Sequence, residues 1–156
     1  MSFLYLDLVL AGAAGFLSAI IMTLIEYPFW RAWGIQGVSE WQVNWVMVSV
    51  LSKKWKTMKN PLISWTIASH ISHGVVAGIA FRLLLPFVIP FLRMANASLL
   101  LDGTIFGIAL WFLFTFLLRR VYEKSGQVKI TERGLLIGLL SDASFGFFLG
   151  LFVTIF

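Results

Sequence analysis

The sequence predicts an all-α, polytopic membrane protein. Four transmembrane helices pack as a bundle, with an interfacial amphipathic helix in the first cytoplasmic loop. Three observations predict it. The 156-residue chain is 60% hydrophobic and 12% charged, with a mean hydropathy of +0.92, which leaves too little charge to cover a water-soluble domain. Its apolar residues fall into four runs of about 18 to 22 residues, each long enough to cross a hydrocarbon core about 30 Å thick. Its lysines and arginines fall mostly on one side of those runs.

The whole chain, 1–156, reads as a single integral membrane domain. The first span is expected over about 8–25, between Asp7 and Glu26. The stretch before it has no Lys or Arg and no small-residue cleavage site, so a cleaved signal peptide is not expected. The second span is expected over about 62–81. Pro86 and Pro90 follow, so residues 83–92 read as a hydrophobic connection in the outer interface or a kinked extension of the span. The third span is expected over about 98–118 and the fourth over about 135–156. None of these runs alternates polar and apolar residues, which favours helices over a barrel.

The loop between the first two spans carries Arg31, Lys53, Lys54, Lys56 and Lys59, and the loop between the last two carries Arg119, Arg120, Lys124, Lys129 and Arg133. Only Arg82 and Arg93 lie opposite. The positive-inside rule then places both loops in the cytoplasm and both termini outside, in the cell (plasma or inner) membrane. The formal charge of +5 is explained by this topology, so nucleic acid is not expected as a partner. Six of the seven tryptophans cluster in or beside the first loop, at 30, 33, 41, 45, 55 and 65. The segment 39–59 is expected to lie on the inner leaflet, with Trp41, Trp55, Lys53, Lys54, Lys56 and Lys59 at the lipid interface. Glu40, Trp45 and Val46 break its amphipathic pattern.

Each span carries small or polar residues at four-residue steps: Ala11, Gly15 and Ala19; His70, Gly74 and Gly78; Gly103 and Gly107; Gly134, Gly138, Asp142, Gly146 and Gly150. Helices in lipid gain little from hydrophobic association, and small side chains let their backbones approach closely. Gly15, Gly74, Gly78, Gly103, Gly107, Gly138, Gly146 and Gly150 are therefore the expected packing positions.

Ionisable groups inside a membrane face the bundle interior and find partners. At 1.5 Å per residue, His70 and Asp142 lie at similar depth, roughly 10 to 12 Å from the cytoplasmic ends of their spans. They are expected to pair, with His73, Glu26, Ser69, Ser72 and Ser141 completing an intramembrane polar cluster. Arg82 and Asp102 form a second expected pair towards the outside. His70 and His73 share a helix face, as ligation requires, but two imidazoles and one distant carboxylate are an incomplete metal set, and no cofactor is expected. The chain has no cysteine, which excludes disulfides and thiol chemistry. No catalytic constellation is found, and Asn96-Ala97-Ser98 reads as a chance sequon.

The stretches "GAAGFLSAIIMTLIEYPF", "SHISHGVVAGIAFRLLLPF" and "DGTIFGIALWFLF", with the final glycine ladder, resemble families of small four-helix prokaryotic inner-membrane proteins of unassigned function. That resemblance implies a four-helix inner-membrane fold. The function expected first is that of a non-catalytic subunit or packing partner in a larger membrane assembly, such as an oxidase or monooxygenase complex. Lipids and other membrane chains, in a hetero-complex or homo-oligomer, are then its partners. The alternative is a small proton- or cation-conducting transporter or channel using His70, His73 and Asp142. A third is a metal-binding redox subunit through His70 and His73.

Overall fold

A computed structural model describes residues 2–34, 38–55, 63–93, 99–114 and 131–156, and every element in them is a helix. Helix α1 spans Ser2–Trp33, α2 Ser39–Trp55, α3 Ile63–Arg93, α4 Leu99–Phe112 and α5 Glu132–Ile155. Three of them hold stretches long and apolar enough to cross a membrane: Tyr5–Trp33, Ser64–Phe87 and Glu132–Ile155. Helix α4 is apolar but has only 14 residues among those described.

Helix α1 outlasts the expected span because neither Glu26 nor Pro28 stops it. Pro28 lies within two turns of the C-terminus, and the helix ends at Gly34. That glycine adopts φ +71° and returns its N–H to the Trp30 carbonyl at 2.7 Å, the left-handed cap that suits a residue without Cβ. Helix α3 likewise continues past Phe81, through Pro86 and Pro90, to Arg93. The expected connection over 83–92 is therefore helical, and Leu85 is buried in the core. Prolines in apolar helices are tolerated where the surroundings satisfy the freed carbonyls. Helix α5 starts where Thr131, in extended conformation, accepts a hydrogen bond from the Gly134 N–H at 3.1 Å, a conventional N-cap.

The helices associate as two antiparallel pairs, α1 with α3 and α4 with α5, joined mainly along α1 and α5. In the first pair Gly15 faces Gly74 and Gly78, and Ala11 faces Gly78. A Cβ on Gly15 would overlap the Gly74 carbonyl and come within 3.0 Å of the Gly78 Cα. In the second pair Gly103 meets Gly146, Gly107 meets the Asp142 backbone, and Gly150 meets the Leu99 carbonyl, all too close for a side chain. Gly138 is buried one step further along α5. Between the pairs lies the apolar core: Ala14, Ala19, Met22, Phe81, Leu85, Phe145 and Leu149. Large apolar side chains such as Leu24, Val76, Phe87, Ile105 and Leu136 cover the outside, the arrangement lipid requires.

Helix α2 departs from expectation. Trp41, Gln42, Val43, Asn44, Val46, Val48 and Ser49 are all buried, while Glu40, Trp45 and Met47 are half-buried, so most of its first three turns lie against the other helices. It packs against α3 and α5. Trp41 is accordingly an interior residue, not an interfacial one. Trp55, Lys53 and Lys54 belong to the last turn of α2. Lys56 and Lys59, the loop cations at 119, 120, 124 and 129, the Asn96 sequon and the end of the expected third span lie outside the described residues.

Candidate functional site

Glu26 sits near the end of α1 with none of its surface exposed. The Trp41 indole Nε1 donates to its Oε2 at 2.8 Å. The Trp41 ring is itself held between two others: Trp30 stacks on it at 5.3 Å with an interplanar angle of 3°, and His70 at 5.3 Å and 21°. Val38 and Ile137 pack around the same tryptophan. This is why the start of α2 is drawn inside: its tryptophan fills the gap between α1, α3 and α5 while satisfying a buried carboxyl that no water reaches.

The next residue back, Glu40, brings a second carboxyl to the centre. It reaches both Glu26 of α1 and Asp142 of α5. Three acids from three helices thus converge, with the Ser141 hydroxyl beside Glu26. Asn44 ties α2 to α3: its side-chain oxygen accepts from the Ser69 hydroxyl at 2.7 Å, while its amide donates to the Glu40 carbonyl at 2.8 Å.

A cavity of about 220 Å³ opens onto this centre. Glu40, Asn44, His70, His73 and Asp142 form its polar end, while Met22, Val43, Val76, Leu110, Phe114 and Phe145 contribute apolar walls. His70 is buried, and its Nε2 has no hydrogen-bond partner among the described residues. No Lys or Arg lies among the described lining residues. Neighbouring carboxyls in such a dry site share protons or hold a cation between them.

Of the expected cluster, His70, His73 and Asp142 are brought to one cavity and Glu26 lies directly behind it. The expected His70–Asp142 contact is not made among the described residues. The acid nearest the His70 Nε2 is Glu26, at 3.9 Å, and Asp142 turns to Glu40 because α2 occupies the space between α3 and α5. Ser72 is exposed and donates to the Ala68 carbonyl of its own helix, so it is outside the cluster. The Arg82–Asp102 pair is also replaced. Arg82 binds Asp7 at 2.8 Å, because α1 rather than α4 runs alongside α3 at that level. Asp102 is buried in the first turn of α4, where a helix dipole favours an acid.

Glu40 is the member of this cluster that the sequence does not single out as a site residue. Its signal was there: an acid beside a tryptophan, on the side of α2 that an amphipathic helix would keep apolar. Among the described residues no group of three or more His, Asp or Glu side chains is arranged to hold a metal ion. No family model matches the chain, and neither a curated protein nor a solved structure does.

Proposed function

We propose that this chain is a four-span membrane protein that binds and passes protons or a small cation through the Glu26–Glu40–Asp142 cluster and its two histidines. Helix α4 counts as the fourth span in this reading, since it is apolar and lies against α5 through Gly103 and Gly107. One observation carries the function: three carboxyls from α1, α2 and α5 converge beside a cavity that two imidazoles line and no described Lys or Arg neutralises. A buried acidic centre in a membrane is costly unless it holds a positive charge, and a site that gains and releases such a charge is a transport intermediate. Reconstituted into liposomes under a pH or cation gradient, the chain is expected to support flux. Asp142→Asn and Glu26→Gln should each lower it by about ten-fold or more, in the range by which acid–base groups act, while eluting as wild type in detergent. Absence of flux from well-folded wild-type protein overturns the reading.

A second reading, a packing partner within a larger membrane assembly, is supported by a different observation. Helices α3 and α4 touch little, and the small side chains of Ala77 and Ala80 lie half-buried along the seam between them. Purification from native membranes in mild detergent tests it: a chain that migrates alone counts against it.

A further inference from the structure

The cavity is closed towards α1 and α5, where Ala19, Met22, Asp142 and Phe145 are all buried. Apart from the half-buried Glu40 of α2, its less buried lining residues sit on α3 and on α4 or just past its end. Val76 is 64% exposed, and His73, Ala77, Ala80, Leu110 and Phe114 are half-buried. These α3 residues lie inside the apolar stretch Ser64–Phe87, so the mouth is at membrane depth and not at a helix end. Phe81 and Phe106, with ring centroids 5.1 Å apart, join α3 to α4 on one side of it. Beyond that contact α3 and α4 touch little, and the cavity lies between them among the described residues, at Ala77, Ala80, Leu110 and Phe114.

We infer that this cavity is a binding site for a lipophilic amine, entered sideways from the bilayer between α3 and α4. The ammonium end reaches Glu40 and Asp142, and the hydrocarbon tail lies along Val76, Leu110 and Phe114. The inference rests on reading the cluster as a cation site and adds the class of cation. Three features select that class. The polar end offers the Glu40 and Asp142 carboxyls with the Asn44 amide, which suit a hydrogen-bond-donating cation. Electrostatic attraction is strongest where water is excluded. The volume, about 220 Å³, falls below the roughly 300–1,000 Å³ of pockets that enclose whole drug-sized ligands. The cavity holds less than a whole drug-sized ligand, so the far end of a long tail extends through the mouth into an apolar medium.

Binding is measured on the full chain in lipid nanodiscs, with empty nanodiscs subtracted, using dodecylamine, dodecanol and tetramethylammonium as probes. Dodecylamine should bind saturably. Its affinity should fall at least about ten-fold in Glu40→Gln, as loss of a buried charge partner implies, and comparably in Val76→Trp, which plugs the mouth from an exposed position and leaves the acids in place. Equal binding of dodecanol overturns the inference, since no cation is then selected. Tetramethylammonium binding as tightly as dodecylamine, or unchanged affinity in Val76→Trp, overturns it too, because entry is then from water. A second chain crosslinked across Val76 and Leu110 in native membranes overturns it by covering the mouth. Liposome flux on the same preparation separates the two readings. Flux without dodecylamine binding removes the amine and keeps the proton or cation path, while binding without flux removes transport and keeps the site.

Discussion

One oxygen of the Glu26 carboxyl accepts the 2.8 Å hydrogen bond from the Trp41 indole, with the Ser141 hydroxyl and the Glu40 carboxyl beside it. Trp41→Phe keeps a ring between Trp30 and His70 but removes the donor and part of the buried indole. It should cost about 1–3 kcal/mol, the penalty for leaving a buried acceptor unsatisfied, and Glu26→Gln in the same background should recover part of that, as read from unfolding in detergent. A double-mutant cycle separates the contacts around Asp142. Coupling with Glu40, through Asp142→Asn and Glu40→Gln, should exceed about 0.5 kcal/mol, whereas coupling with His70 should be smaller, because contacting groups couple and separated ones add. Strict additivity for the Asp142–Glu40 pair would contradict their contact. At this scale the sequence was legible in part. Depth and four-residue spacing bring His70 and Asp142 to one level, with His73 one turn deeper, and the structure puts all three on one cavity. The direct partners were not legible, because they depend on Trp41 and Glu40 entering from α2, and a helix of mixed pattern does not declare which way it is turned. Arg82 shows the opposite case. Extending the ladder of α1 one step back from Ala11 reaches Asp7, and that of α3 one step on from Gly78 reaches Arg82, so their pairing is the next rung of the same register. At 41% and 44% side-chain exposure, Asp7→Asn should cost no more than about 1 kcal/mol.

Among elements, the two glycine crossings and α2 do different work. At the crossings backbone meets backbone, so a side chain cannot be accommodated by rotamer change. Gly107 faces the Asp142 backbone, which explains why an acid can occupy a step of the glycine ladder. The main chain of Asp142 packs on α4, and its carboxyl is left to face the cavity. Gly107→Leu should push α4 from α5, costing at least about 1–3 kcal/mol as overpacking does, and should reduce flux with the acids untouched. Ala109→Leu, on an exposed position of the same helix, should leave both stability and flux near wild type, and an equal loss there would show that helix bulk rather than the crossing is responsible. Helix α2 was expected on the membrane surface because lysines and tryptophans at its end suit an interface. Its first turns are largely buried instead, while the side chains of that end lie outside the described residues. Gln42, Asn44 and Ser49 are enclosed alongside Val43, Val46 and Val48, and tertiary contacts with α3 and α5 outweigh an already moderate amphipathic pattern. The helix lengths were misjudged for a related reason. Hydropathy marks where apolar residues stop, whereas α1 and α3 continue through Pro28, Pro86 and Pro90 because helical geometry persists where carbonyls find other partners.

Across the molecule, chain order pairs neighbours, α1 with α3 and α4 with α5, and sets α2 between the pairs at one end. That end also carries the Arg133 guanidinium, 5.9 Å from the Trp33 ring centroid, which fastens the close of α1 to the start of α5. The acid centre lies towards this end, and the Asp7–Arg82 bridge lies towards the other. The distribution of lysine and arginine predicts a cytoplasmic α2 end. Whether α4 crosses fully decides a separate property: four crossings return the C-terminus to the side of the N-terminus, and three leave them opposed. The absence of cysteine from the sequence makes this measurable with single substitutions and a membrane-impermeant maleimide on intact cells. Ser2→Cys and Phe156→Cys should both be labelled from outside, while Lys54→Cys should be labelled only after permeabilisation. Labelling of Ser2→Cys without Phe156→Cys would show an odd number of crossings and remove α4 as a span. Labelling of Lys54→Cys alone would invert the orientation and place the acid centre nearer the outer surface, so that any cation reaching it from water would come from the opposite compartment.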